Sequence, residues 1–158
     1  VLAWGSESEP GQDIVITEVD INYLLRTKAA IYAGIAVMAR TVGVPLREIE
    51  EVLIGGAFGQ HINVEKAIQI GLLPDLPWDR FRFLGNTSLS GTFNVLLSGH
   101  ARMQADEVVR GLTYFELIAD SSFMDEFTAG IFLPHTEMHR FPSVAAAIER
   151  EGTEVEVG

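Results

Sequence analysis

Apolar and polar positions change their period repeatedly along the chain, and the changes mark strands alternating with helices. "VLAW" and "DIVIT" are short β-type runs around the turn-rich "GSESEPGQ", which predicts a hairpin over 1–16. Thr17 offers an N-cap hydroxyl and Asp20 stands three residues on, so a capping box opens a helix that runs to about Thr41. Gly43 and Pro45 close it. Leu24, Leu25, Ala29, Ile31, Ile35, Met38 and Val42 fall on more than one face, predicting a well-buried helix. "EVLIGG" reads as a strand, Asn63 as the cap of a short helix "VEKAIQI", and "RFRFLG" as a second strand. "NTSLSGTFNVLLSG" enters a helix and "ARMQADEVVRGL" continues helical. "TYFELI" and "GIFL" read as strands around the helix "DSSFMDEFTAG", which Asp120 caps. Pro142 suits the first turn of a last helix, "FPSVAAAIEREG". This alternation predicts a single α/β domain over 1–158, with a mixed sheet flanked by helices.

The densest chemical signal is "LIGGAFGQH", where Gly55, Gly56, Ala57 and Gly59 follow a short strand. A backbone that bare lets a flat or phosphorylated ligand approach where a Cβ would obstruct it. In open α/β sheets, ligands gather beyond the carboxyl ends of strands. A tight turn with close helix–strand packing explains the same glycines equally well. No Gly-Lys-Ser/Thr follows and the dinucleotide G-x-G-x-x-G spacing is missing. "FLGNTSLSG" repeats the theme, with Gly85 at a strand end and Asn86, Thr87 and Ser88 at a helix start. Alone it is an ordinary N-cap; two such turns in one small sheet point to a shared cleft. Lys28, within "RTKAAIYAG", either snorkels to a surface or reaches a ligand over the neighbouring strand end.

A formal net charge of −11 excludes a nucleic-acid partner and an anionic membrane surface, since no basic patch is available to replace phosphate counterions. A nucleotide stays admissible, because local amides and one or two cations suffice. Without cysteine the chain holds no disulfide, thiolate metal site or iron–sulfur cluster. No run reaches the roughly 18 apolar residues of a membrane span, and a cytoplasmic location is expected. The opening lacks Met and starts in strand-like residues, as expected for part of a longer protein.

Other constellations carry less. His135 and His139 in "HTEMH" have an i, i+4 spacing, but they follow Pro134 in a loop-like context and lack the H-E-x-x-H order. Both are expected at the surface, and His61 as a turn residue. The acids of "REIEE" and "DSSFMDEF" read as a solvated face. No metal site and no catalytic residue is assigned within the chain.

Taken in order, "DIVITEVDINYLLRTKAAIYAGI", "EEVLIGGAFGQHINVEKAIQIGLLP", "FLGNTSLSGTFNVLL" and "FELIADSSFMDEF" resemble the C-terminal part of the reductive activators of corrinoid proteins. Those proteins fall in the acetate and sugar kinase/Hsp70/actin (ASKHA) superfamily. The resemblance implies the C-terminal portion of a ribonuclease-H-like, actin-like ATPase fold, with 17–134 as core between the 1–16 hairpin and a 135–158 tail. It makes "IGGAFG" the adenosine motif, so that Gly55, Gly56, Ala57, Phe58 and Gly59 flank the nucleoside. Lys28 contacts ribose or covers the base, and Gly85, Asn86 and Thr87 line the far side. The implied function is that of an energy-coupling, nucleotide-binding module that helps return Co(II) corrinoid proteins to Co(I), with a corrinoid protein as partner. The resemblance further implies that ATP and Mg²⁺ are bound together with an upstream half, and that a [2Fe–2S] domain belongs to the parent. This chain has no Asp-x-Gly pair of the superfamily's phosphate-loop type, so alone it is expected to hydrolyse nothing. The alternatives are a docking or dimerisation module with a non-functional cleft, and half of a small-molecule kinase of the same superfamily.

Overall fold

A computed structural model describes residues 2–7, 9, 11–57 and 59–156. The elements are α1 (Glu18–Thr41), β1 (Val52–Gly55), α2 (Val64–Gln69), β2 (Phe81–Gly85), α3 (Thr87–Leu97), α4 (Gly99–Gly111), α5 (Ser121–Gly130) and α6 (Pro142–Glu156). The α/β reading holds, in a helix-rich form. Among the described residues the sheet consists of β1 and β2 alone, paired in parallel. Among the described residues of the expected hairpin, the pairing is one antiparallel bridge between Ala3 and Ile14.

The helix signals are realised closely. Thr17 Oγ1 accepts from the Asp20 amide at 3.2 Å, and the Thr17 amide donates to Asp20 Oδ2 at 2.8 Å. The Thr17 hydroxyl, which donates to Asp20 Oδ2 at 2.7 Å, and after it the Thr17 amide hold the Asp20 carboxyl below its ordinary value of 3.8. Asn63, Asn86, Ser98 and Asp120 cap α2 to α5 by the same side-chain chemistry. Ser98 thereby divides the helical stretch that follows Asn86 into α3 and α4.

Burial of α1 departs from its apolar periodicity. Its buried face is Lys28, Ala29, Tyr32, Ala33, Gly34, Ala36 and Val37, whereas Leu24, Ile31 and Met38 are exposed. Small residues win because α5 comes close. A Cβ on Gly130 would stand 3.3 Å from Ala29 Cα, a separation that leaves no room for a large side chain.

Two expected strands are absent. "TYFELI" remains unpaired and turns into a 3-10 segment at Leu117–Ala119. "GIFL" begins inside α5 and ends in a bend, with a cis Leu133–Pro134 bond. The carbonyls of Phe132 and Pro134, which a ladder would need, accept instead from the Lys28 ammonium.

The core gathers Tyr32, Ala36, Ala67, Ile68, Leu73, Leu76, Phe81, Phe141 and Val144, so α1, α2, the start of β2 and the start of α6 meet in it. Among its described residues, the 135–158 segment supplies Phe141 and Val144 to this core. No described helix is long and apolar enough to cross a membrane.

Candidate functional site

Parallel pairing places the carboxyl ends of β1 and β2 side by side, and with them both glycine turns. Val52, Leu53 and Ile54 pair with Phe81, Arg82 and Phe83, after which the register slips by one residue and Gly55 faces Gly85. The Gly56 amide donates to the Gly85 carbonyl at 2.7 Å, tying the turns together. The slip falls at the strand ends, where such irregularities re-aim the backbone.

The glycines divide into two kinds. Gly56 (φ +102°) and Gly85 (φ +66°) lie in the left-handed region, and a Cβ on either would meet nothing within 4 Å. They face open space. Gly55 and Gly59 are packing glycines: a Cβ would come 2.8 Å from Thr87 Oγ1 and 2.7 Å from Ile54 Cγ2 respectively. The packing explanation thus holds at Gly55 and Gly59, while Gly56 and Gly85 leave the junction open. Ala57 is exposed beside Gly56. Phe58 lies outside the described residues.

Across the gap, Asn86 Oδ1 accepts from the Leu89 amide at 3.0 Å and so serves as the N-cap of α3. Thr87 packs its side chain over Gly55, and the start of α3 is exposed. The first amides of a helix have no intrahelical acceptor, so Thr87 and Ser88 present donors beside the two open glycines. The structure brings Gly55, Gly56, Ala57, Gly85, Asn86 and Thr87 together around one open junction.

Lys28 is not among them. It is fully buried, and its Nζ donates to the carbonyls of Phe132 and of Pro134, the latter at 2.7 Å. Burial pushes its ammonium down from 10.5 to about 8. The expectation that Lys28 covers a nucleoside gives way here to a tether between α1 and the turn after α5. The helical pattern shows only that a lysine interrupts an apolar face; its acceptors lie more than a hundred residues away.

His135 also differs from expectation. It is 3% exposed rather than at the surface, between the rings of Tyr32 and Phe141 at centroid distances of 5.3 and 6.1 Å. Its Nδ1 accepts from the Glu137 amide at 3.0 Å, and its Nε2 is buried without a hydrogen-bond partner. Burial, reinforced by the Arg140 charge, lowers its pKa below 6.5. His139 is exposed, so the i, i+4 pair does not converge. No group of three potential ligands suited to a metal ion occurs among the described residues.

A second polar cluster escaped the sequence reading. Glu126, buried in α5, accepts from Arg140 Nη1 at 2.7 Å and from Arg40 Nη1 at 3.3 Å. It joins α5 to α1 and to the turn before α6, beside a cleft of about 360 Å³ whose floor includes Ala36, Ala39 and Leu46. This cleft includes none of the glycine-turn residues.

Known proteins resemble this chain over most of its length. Residues 1–145 match the family described as the C-terminal domain of RACo, the ASKHA domain. A 126-residue stretch, 80% of the chain, is 35% identical to the corrinoid activation enzyme RamQ of Eubacterium limosum and covers 21% of it. A solved structure titled reductive activator for corrinoid, iron-sulfur protein is similar with a TM-score of 0.86 and 49% identity, over 91% of this chain and 23% of that one. The chain spans about a fifth of the length of these relatives.

Proposed function

This chain belongs to the family of the C-terminal ASKHA domain of RACo, and on that premise we propose that it is the C-terminal part of the nucleotide-binding, energy-coupling module of a corrinoid-protein reductive activator. The observation that carries the reading is the pairing of two open, left-handed glycines, Gly56 and Gly85, at adjacent strand ends. A flat nucleoside fits against a junction where added Cβ atoms would occupy the approach. In this reading Gly55, Gly56, Ala57 and Gly59 form one side, with Gly59 and Gly55 holding the turn against Ile54 and Thr87. Gly85, Asn86 and Thr87 form the other.

Bound ATP and Mg²⁺ would supply the free energy for an uphill one-electron reduction of Co(II) to Co(I), in which roughly 60 mV corresponds to 1.4 kcal/mol. The described residues suit the nucleoside end of that ligand. With no phosphate loop in the chain and no metal-ligand cluster among the described residues, phosphate and metal would be held by other parts of a longer polypeptide. The same holds for the [2Fe–2S] centre, since this chain has no cysteine. The corrinoid protein is the proposed partner of the assembled activator.

A docking module is the second reading, favoured by α3 and α4, neither of which has a buried residue. Calorimetric titration of Mg·ATP and ADP into the full-length protein and into this chain, each beside Gly56→Val, separates the two. The nucleotide reading expects binding by the full-length protein that Gly56→Val removes, at a stability cost of about 1–3 kcal/mol from the positive φ alone. Absence of binding by the folded full-length protein would transfer the role to docking.

A further inference from the structure

We propose that Thr87 is the specificity-determining residue of the glycine junction, and that its hydroxyl selects a ribonucleoside by pairing with a hydroxyl of the sugar. The inference rests on the nucleotide reading above and adds a substrate class to it.

The junction offers little side-chain polarity. Gly55, Gly56, Ala57 and Gly85 carry no polar side chain, and part of their backbone is already paired. The Gly56 amide donates to the Gly85 carbonyl at 2.7 Å, and the Gly56 carbonyl accepts from the Gly59 amide at 3.2 Å. Asn86 spends its Oδ1 on the Leu89 amide, which leaves it donors alone. Further along α3, Ser90 and Thr92 turn their hydroxyls back onto the carbonyls of Asn86 and Ser88, at 3.1 and 2.8 Å. Thr87 has no such recourse. It is the first residue of α3, so the carbonyl four positions back belongs to Phe83 in β2. No hydrogen bond among the described residues engages its hydroxyl.

Packing holds that hydroxyl in place. Thr87 Oγ1 and Cγ2 lie 2.8 and 3.3 Å from the point where a Cβ on Gly55 would stand, so the side chain rests on the bare Gly55 backbone. Gly55 faces Gly85 across the ladder and precedes Gly56, which sets Thr87 beside both open glycines. A β-branched side chain seated in this way loses little freedom when a ligand arrives. Ser88, the next residue, projects about 100° further round the helix.

Chemistry then names the group that Thr87 meets. None of Gly55, Gly56, Ala57, Gly85, Asn86 and Thr87 is ionisable, so the junction suits the neutral end of a nucleotide. A threonine hydroxyl both donates and accepts. A sugar hydroxyl has the same two-way capacity and pairs with it in either sense. A base edge presents a fixed run of donors and acceptors, which one rotatable hydroxyl does not discriminate. A site that hydrogen-bonds a substrate hydroxyl rejects the analogue lacking it, because its own group is left unpaired.

The test is calorimetric titration of the magnesium complexes of ATP, 2′-deoxyATP and 3′-deoxyATP into the full-length protein and its Thr87→Val and Thr87→Ser variants. Valine keeps the shape that rests on Gly55 and loses the hydroxyl, whereas serine keeps the hydroxyl. The unaltered protein is expected to bind one deoxy analogue about tenfold or more weakly than ATP. Thr87→Val should bind ATP as weakly as that analogue while its affinity for the analogue stays unchanged. Thr87→Ser should keep most of the discrimination. The proposal is overturned if Thr87→Val binds ATP normally, or if the unaltered protein binds both deoxy analogues as well as ATP. Equal weakening of all three ligands by Thr87→Val is the mark of a merely structural role and overturns it too. Each of these results leaves the nucleotide reading standing; absence of binding by the folded, unaltered protein overturns both.

Discussion

Glycine positions that look alike in the chain carry opposite costs. Gly71 (φ +74°) approaches the turn after α5 so closely that a Cβ would lie 2.1 Å from the Pro134 carbonyl oxygen. Gly71→Ala therefore must displace backbone, and urea denaturation should show a loss of about 3 kcal/mol or more. Gly56→Ala meets nothing and costs only its left-handed conformation, about 1 kcal/mol. The two buried bases add a pH signature. Lys28 titrates near 8 in the fold against 10.5 unfolded, so between those values the unfolded chain holds the extra proton and stability rises with pH. Lys28→Met should remove that rise while lowering stability at neutral pH, because two carbonyls lose their donor. His135 is depressed below 6.5, so the unfolded chain binds its proton first and stability falls as pH drops through 6.5. His135→Phe should flatten that acidic slope, as chemical denaturation at successive pH values would report.

Helices couple to the rest of the molecule very unequally. Glu126 links α5 to Arg40 of α1 and to Arg140, and its removal would leave two guanidinium groups without their shared carboxylate. Arg40 is half exposed, which lets water compensate part of the loss, so Glu126→Ala is expected to cost about 2–3 kcal/mol rather than the full buried-pair value. By contrast Asn86→Ala removes the cap of α3, a change worth about 1 kcal/mol locally. Because α3 buries nothing, the expected readout is faster amide hydrogen exchange in 87–97 with an almost unchanged global transition. The capping residues of α1, α2 and α5 were legible because a cap is a contact within four residues. The strands misread at "TYFELI" and "GIFL" have strand-like composition but no neighbouring strand among the described residues, and a strand exists only as a pair.

Across the molecule, burial is lopsided. The core occupies the junction of α1, α2, β2 and α6, while Leu89, Phe93, Leu96, Leu97 and Met103 on α3 and α4 are 60% or more exposed. Apolar exposure on that scale marks a surface that meets another body. The 158-residue chain should therefore bind the dye ANS strongly, and the full-length protein much less per mole if that surface is covered there. Equal fluorescence would show the surface to be free in both. Chain-local chemistry was enough to read the α/β class, the long capped α1, the two glycine turns at strand ends and the absence of any thiolate site, since each depends on residues a few positions apart. It could not say that Gly55 would face Gly85, that Lys28 would be consumed by Phe132 and Pro134, or that His135 would be buried. Those outcomes depend on partners that are remote in the chain and adjacent only after folding, where desolvation decides which polar groups must pair and which glycines stay open.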